Sequence, residues 1–208
     1  MATLHPLHPH SGSGPGEPLA LHDRAMDNLR FIRETMERAG SFTAVSGWSE
    51  VAIGATALLA SWVASLQGSA AGWLTVWCVE AVVALAVGGW GVMRKARSVG
   101  MPLRSGPGRK VALCLFPPLA AGAVLTAVLF RVGLVAPLPG LWLLLFGAGT
   151  VAAGSYSVRI VPVMGLCFMA VGGAALLTPT AWADAMMALG FGGVHILFGL
   201  LIARRHGG

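Results

Sequence analysis

Six uninterrupted apolar runs dominate the chain, at about 48–66, 71–92, 110–131, 138–156, 160–178 and 184–203. A bilayer core about 30 Å thick takes about 20 helical residues to cross, and each run is close to that length. Lipid offers no partner to backbone N–H and C=O groups, so a spanning segment must satisfy them internally. A helix does this. Barrel strands would alternate apolar and polar residues, and these runs do not. The expected fold is all-α, a polytopic transmembrane bundle of six helices occupying about 47–205.

Composition points the same way. Apolar residues make up 56% of the chain and charged residues only 11%, against about 25% charged in an ordinary soluble domain. The 29 glycines would weaken soluble helices, but between membrane helices they let backbones approach closely. Cys78, Cys114 and Cys167 all fall inside apolar runs, without metal-type spacing, and read as small buried hydrophobes.

Charge position gives an orientation. Arg24, Arg30, Arg33 and Arg38 precede the first run. Arg94, Lys95, Arg97, Arg104, Arg109 and Lys110 lie between the second and third. Arg159 separates the fourth and fifth, and Arg204 and Arg205 follow the sixth. With both termini in the cytoplasm, every lysine and arginine except Arg131 is on the inside, as the positive-inside rule requires. The net charge of +6 therefore suits anionic lipid headgroups at the cytoplasmic face, and no direct nucleic-acid partner is expected.

Residues 1–21 are rich in Pro, Gly, His and Ser and read as a disordered tail. They carry no apolar core of a signal peptide. His5, His8 and His10 are close in sequence, but such a tract gives a metal no fixed geometry. Within 22–40, Met26, Leu29, Ile32 and Met36 recur at helical spacing among charged residues, which predicts a cytoplasmic or interfacial amphipathic helix. The segment 93–110 is the longest connection, basic and interrupted by Gly106-Pro107-Gly108, and reads as a flexible loop. Pro117 and Pro118 remove backbone donors inside the third run and are expected to kink or break that helix.

Ionisable groups at membrane depth are costly and point to function. Glu80, near the middle of the second helix, shares a face with Trp73, Trp77, Ala84 and Gly88. His195, in the sixth, lies on a side with Gly192, Gly199 and Ala203. Both sit near the centres of their helices, so they are expected at one depth, as a ligand-binding or proton-linked pair. Glu50 begins the first helix, where the dipole favours an anion, and reads as a structural group paired with Arg159 or Arg94. No catalytic constellation and no metal site is present.

The stretch Leu29–Thr43 (LRFIRETMERAGSFT), the segment Pro162–Met169 (PVMGLCFM) and the ending Ile202–Gly208 (IARRHGG) resemble a small uncharacterised family of bacterial six-helix inner-membrane proteins. The resemblance implies the bacterial cytoplasmic membrane, multi-pass, and assigns no activity, cofactor or catalytic residue.

Three functions fit. The first is a non-enzymatic sensor or scaffold that engages a cytoplasmic protein partner through 22–40 and 93–110. The second is a small proton-coupled transporter using Glu80 and His195, which six short helices would build as a homodimer. The third is a haem or redox membrane subunit ligated by His195.

Overall fold

The computed structural model describes residues 26–32, 45–98 and 106–206. The tail 1–21, its three histidines and most of the 22–40 helix lie outside the described residues. Residues 26–32 are helical and exposed, within a unit, Met1–Gly40, separate from the unit Ser41–Gly208.

The second unit is built of helices, with no strand among the described residues. These are α1 (Gly47–Ser65), α2 (Ala70–Ser98), α3 (Gly106–Arg131), α4 (Leu138–Gly154) and α5 (Ile160–Leu177). A sixth rod follows in pieces. It comprises a 3-10 turn (Thr180–Trp182), α6 (Ala183–Met187), a π-helical segment (Ala188–Val194) and α7 (His195–His206). Every apolar run is helical. Four stretches, Ala70–Arg97, Arg109–Arg131, Ile160–Leu177 and Thr180–Arg205, are both long and apolar enough to cross a membrane. Helix α4 is apolar but has 17 residues, and α1 is diluted by Ser49, Glu50, Thr56 and Ser61.

Three expectations need correction. The 93–110 segment is not one loop: α2 continues to Ser98 and α3 starts at Gly106. Hydropathy marks where lipid ends, whereas Arg94, Lys95, Ala96 and Arg97 are good helix formers that carry the helix onward. Gly106-Pro107-Gly108 is the first turn of α3, where proline's missing donor is harmless. Of the kink or break expected at Pro117 and Pro118, the break is absent: both lie inside α3. Finally, Cys78 is exposed, and Cys114 and Cys167 are only partly buried.

Two antiparallel seams organise the bundle, and both use glycines seven residues apart. In the first, Gly140 and Gly147 of α4 face Gly172 and Gly165 of α5. A Cβ on Gly147 would stand 2.7 Å from the Gly165 carbonyl oxygen, and one on Gly140 would stand 2.8 Å from that of Gly172. In the second, Gly47 and Gly54 of α1 face Gly199 and Gly192 of the sixth rod. A Cβ on Gly199 would come within 2.7 Å of the Val51 nitrogen, and one on Gly54 within 2.7 Å of the Gly192 oxygen. A seven-residue repeat keeps a contact stripe facing one partner along two helices. With no side chain between them, the backbones touch, which is how helices associate where lipid supplies no hydrophobic drive.

Helix α2 packs beside α1, and α3 packs on α4. The core, where α1, α2, α4, α5 and the sixth rod converge, is formed around Trp77, Leu143, Phe168 and Met187. The outward surface is apolar too: Val79, Val82, Leu85, Leu113, Phe116 and Val124 are all exposed. Exposed tryptophans collect at two levels, Trp48 and Trp90 at one end of the α1–α2 pair and Trp62 and Trp182 at the other. Amphipathic rings favour the two interfaces of a membrane in this way.

Candidate functional site

Helix α1 is the centre of the polar architecture because it presents different faces to two neighbours. Towards α2 it offers Ser49, Ile53 and Thr56. Ser49 lies against Gly91 and Ile53 against Gly88. Thr56 Oγ1 donates to Glu80 Oε1 at 2.9 Å. Towards the sixth rod α1 offers Glu50, Gly54 and Ser61. Glu50 Oε2 lies 3.6 Å from His195 Nε2, and Ser61 Oγ donates to the Asp184 carbonyl oxygen at 2.8 Å.

The structure therefore does not bring Glu80 and His195 together. Each meets α1, at Thr56 and Glu50 respectively. Those positions are about 9 Å apart along the helix axis and about 120° apart around it. Nor does Glu50 pair with Arg159 or Arg94. Its partner is His195, while the Arg94 guanidinium lies 5.5 Å from the centroid of the Trp90 ring.

His195 is 3% exposed and Glu50 19%. Three rings enclose the imidazole: Phe168 at 4.9 Å between centroids, Phe146 at 5.4 Å and Phe191 at 6.1 Å. Its Nδ1 is 2.8 Å from the Phe191 carbonyl oxygen. A carbonyl only accepts, so Nδ1 carries the hydrogen and donates. That fixes the tautomer. In the neutral ring Nε2 is then a lone-pair acceptor, and it faces a carboxyl oxygen that is also an acceptor when ionised. Two lone pairs face each other favourably only with a proton between them. The contact, 3.6 Å long and so beyond hydrogen-bond range, would be neutral with one proton on the pair, as imidazole with carboxylic acid or imidazolium with carboxylate. Neutrality is what a dry interior demands of paired ionisable groups.

The two ring nitrogens, the atoms a haem iron would take, face protein groups: Nδ1 the Phe191 carbonyl oxygen and Nε2 the Glu50 carboxyl. Among the described residues no cluster of three or more His, Cys, Asp or Glu could hold a metal.

From His195 towards the Asp184 end runs a series of aromatic rings in contact, tilted at first and stacked at its end. Phe191 contacts Trp77 at 6.2 Å, Trp77 contacts Trp73 at 6.3 Å, and Trp73 stacks on Trp142 at 5.4 Å. Trp77 Nε1 is buried without a hydrogen-bond partner. Trp73 Nε1 donates to Asp184 Oδ1 at 2.7 Å, and Trp142 Nε1 donates to Thr126 Oγ1 at 2.7 Å.

Sequence reasoning missed Asp184, which joins α1 and α2 to the sixth rod. It stands at the margin of an apolar run, where a charge reads as solvated. The Glu50–His195 contact had a signal, the equal glycine spacing in α1 and the sixth rod. Setting Gly47 opposite Gly199 and Gly54 opposite Gly192 puts Glu50 opposite Ile196, beside His195.

The chain matches no protein-family model, no curated protein and no solved structure.

Proposed function

We propose that this chain is a six-span integral membrane protein of the bacterial cytoplasmic membrane, with both termini inside, that acts without catalysis as a proton-responsive sensor or scaffold. The observation that carries the reading is the Glu50–His195 pair. The two groups lie 3.6 Å apart, the imidazole among three rings and Glu50 on the side where α1 begins, and on this reading they share one proton.

The topology is supported by three features. All six apolar runs are helical, the tryptophans gather at two levels, and α1 runs antiparallel to the sixth rod, as a first and a sixth span must. In this orientation Glu50 faces the cytoplasmic end, along with the basic ends of α2, α3 and α7. Occupancy of the pair would be read there, by a protein partner or by anionic lipid. Membership of the inner-membrane family that the sequence resembles belongs to the same proposal.

The packing favours a sensor over a carrier. A carrier needs a polar route past the site to the far side. Beyond His195 that direction is occupied by Phe146, Phe168, Phe191, Trp77 and Trp73. The open grooves lie on the outer faces instead, such as one of about 380 Å³ lined by Thr56, Leu59, Val76, Val79 and Glu80.

The test uses inside-out proteoliposomes at a series of pH values. The rate of trypsin cleavage at the cytoplasmic arginines, divided by that of a free arginine peptide at the same pH, should change with pH in the wild type and stay constant in Glu50→Gln and His195→Phe. An internal pH dye should report no flux above protein-free vesicles. Flux lost in Glu50→Gln would replace the sensor with a carrier.

A further inference from the structure

The π-helical segment Ala188–Val194 ends immediately before His195. In a π turn the backbone donors reach five residues back rather than four, and such turns are uncommon and concentrate at functional sites. Gly190, Gly192 and Gly193 lie within the segment, and glycine resists the α conformation least firmly of all residues to leave. At the end of the segment the His195 N–H bonds the Gly192 carbonyl, only three residues back, so the wide turn tightens where α7 begins. The His195 imidazole donates through Nδ1 to the Phe191 carbonyl oxygen, four residues back, at 2.8 Å.

Both ends of the segment are anchored. On one side, Asp184 in α6 holds Ser61 of α1 through its carbonyl and Trp73 of α2 through its carboxyl. On the other, α7 lies backbone to backbone on α1 at Gly199 and Gly47. A π segment that relaxes to α changes the phase of one flank against the other by up to about one residue, or 100°. With the Gly199–Gly47 contact fixed, the Asp184 junction is the end that must turn, and Gly192 shifts against Gly54 as it does.

We propose that His195 is a latch. Its Nδ1–H, donated to Phe191, stabilises the π form, and a change of proton occupancy at the Glu50–His195 pair shifts the segment towards α and rotates the Asp184 junction at the opposite end of the bundle. The step rests on the proton-site reading above. It moves one proton, between Nε2 and Glu50 or to and from water on the Glu50 side, and no other covalent bond is made or broken. The groups facing the imidazole are Glu50 from α1, Phe146 from α4, Phe168 from α5 and Phe191 from its own rod. Glu50 is the one ionisable side chain among them. The latch thus turns local proton occupancy into a movement across the bundle, through a bistable element that both ends bias.

The experiment is ¹⁹F NMR of the full chain in nanodiscs with 5-fluorotryptophan incorporated, the Trp73 resonance being assigned by Trp73→Phe. Wild type should show a Trp73 resonance that moves with pH. In His195→Ala it should sit at a new position and ignore pH. In His195→Thr, a hydroxyl can take the carbonyl four residues back, as Thr150 does with Phe146 at 2.8 Å. There the resonance should keep its wild-type position at one end of the titration and again ignore pH. A Trp73 resonance unchanged by His195→Ala overturns the latch, and so does pH dependence that persists in His195→Thr. Imidazole ¹⁵N shifts on the same samples separate the two failures. A histidine that titrates beside a static Trp73 removes the latch and leaves the proton site. A His195 that does not titrate removes the proton site, while the His195→Ala position still decides whether the ring holds the π turn.

Discussion

The two glycine seams are alike in backbone and opposite in content. In both, antiparallel helices approach until a Cβ would strike a backbone atom, at Gly147 against Gly165 and at Gly54 against Gly192. The α4–α5 seam is otherwise filled with Leu143, Leu144, Val151, Met169 and Leu176. The seam between α1 and the sixth rod carries Glu50 and His195, and its sixth-rod side includes the π segment. Packing alone needs neither polar groups nor a π turn, since α4 and α5 pack equally closely without them. That contrast is what motivates the proposed proton site at Glu50 and His195. A buried ionisable pair contributes little to stability once desolvation is counted, which agrees with that proposal.

The largest expected effect breaks both seams alike. Gly147→Val or Gly54→Val forces a branched side chain against backbone that cannot move aside. Each should cost about 1–3 kcal/mol or more, seen as a clear fall in the thermal midpoint in detergent. Gly173→Ala is the control, because a Cβ there meets nothing within 4 Å. A similar loss from Gly173→Ala would remove the close-approach account of the seams.

A second substitution set sharpens the difference between them. His195→Leu alone leaves the Glu50 carboxyl unpaired at a buried interface and the Phe191 oxygen without its donor, and should cost about 1–3 kcal/mol. Adding Glu50→Met should return part of that stability, by making the second seam resemble the first. The double variant should be folded but lose every pH-dependent change in trypsin cleavage. A double variant that stayed well below wild type in stability, with nothing regained from the single, would make the pair a structural fastener after all.

The smallest expected effect lies on the other face of α1. Thr56→Val removes the hydroxyl that donates to Glu80 and should cost about 1 kcal/mol. It should leave the pH response intact, because Glu80 and His195 meet α1 on different faces. A lost pH response in Thr56→Val would join the two carboxylates into one site.

How far these features were legible in the sequence follows from what each depends on. The helical segments are legible because lipid forces long apolar runs to be helices. Their ends are less so, as at Ser98 and Gly106, because helix propensity continues where hydropathy stops. Depth along each helix is also legible, and it suggested Glu80 as the partner of His195. Which helix stands between two others depends on packing, and α1 stands there. The seven-residue glycine spacing carries that packing information, since small residues mark the faces that touch. The π segment was signalled only by three glycines in four positions, a pattern that also fits an ordinary weak helix.

The most direct test of the central claim is the ¹⁵N NMR spectrum of His195 in the full chain in bilayers, with its signals assigned through His195→Phe. The expected result is a hydrogen on Nδ1 at every pH, an Nε2 signal that changes as the shared proton moves, and loss of that change in Glu50→Gln. A bare Nδ1 with the hydrogen on Nε2, or an Nε2 signal identical in wild type and Glu50→Gln, would contradict it.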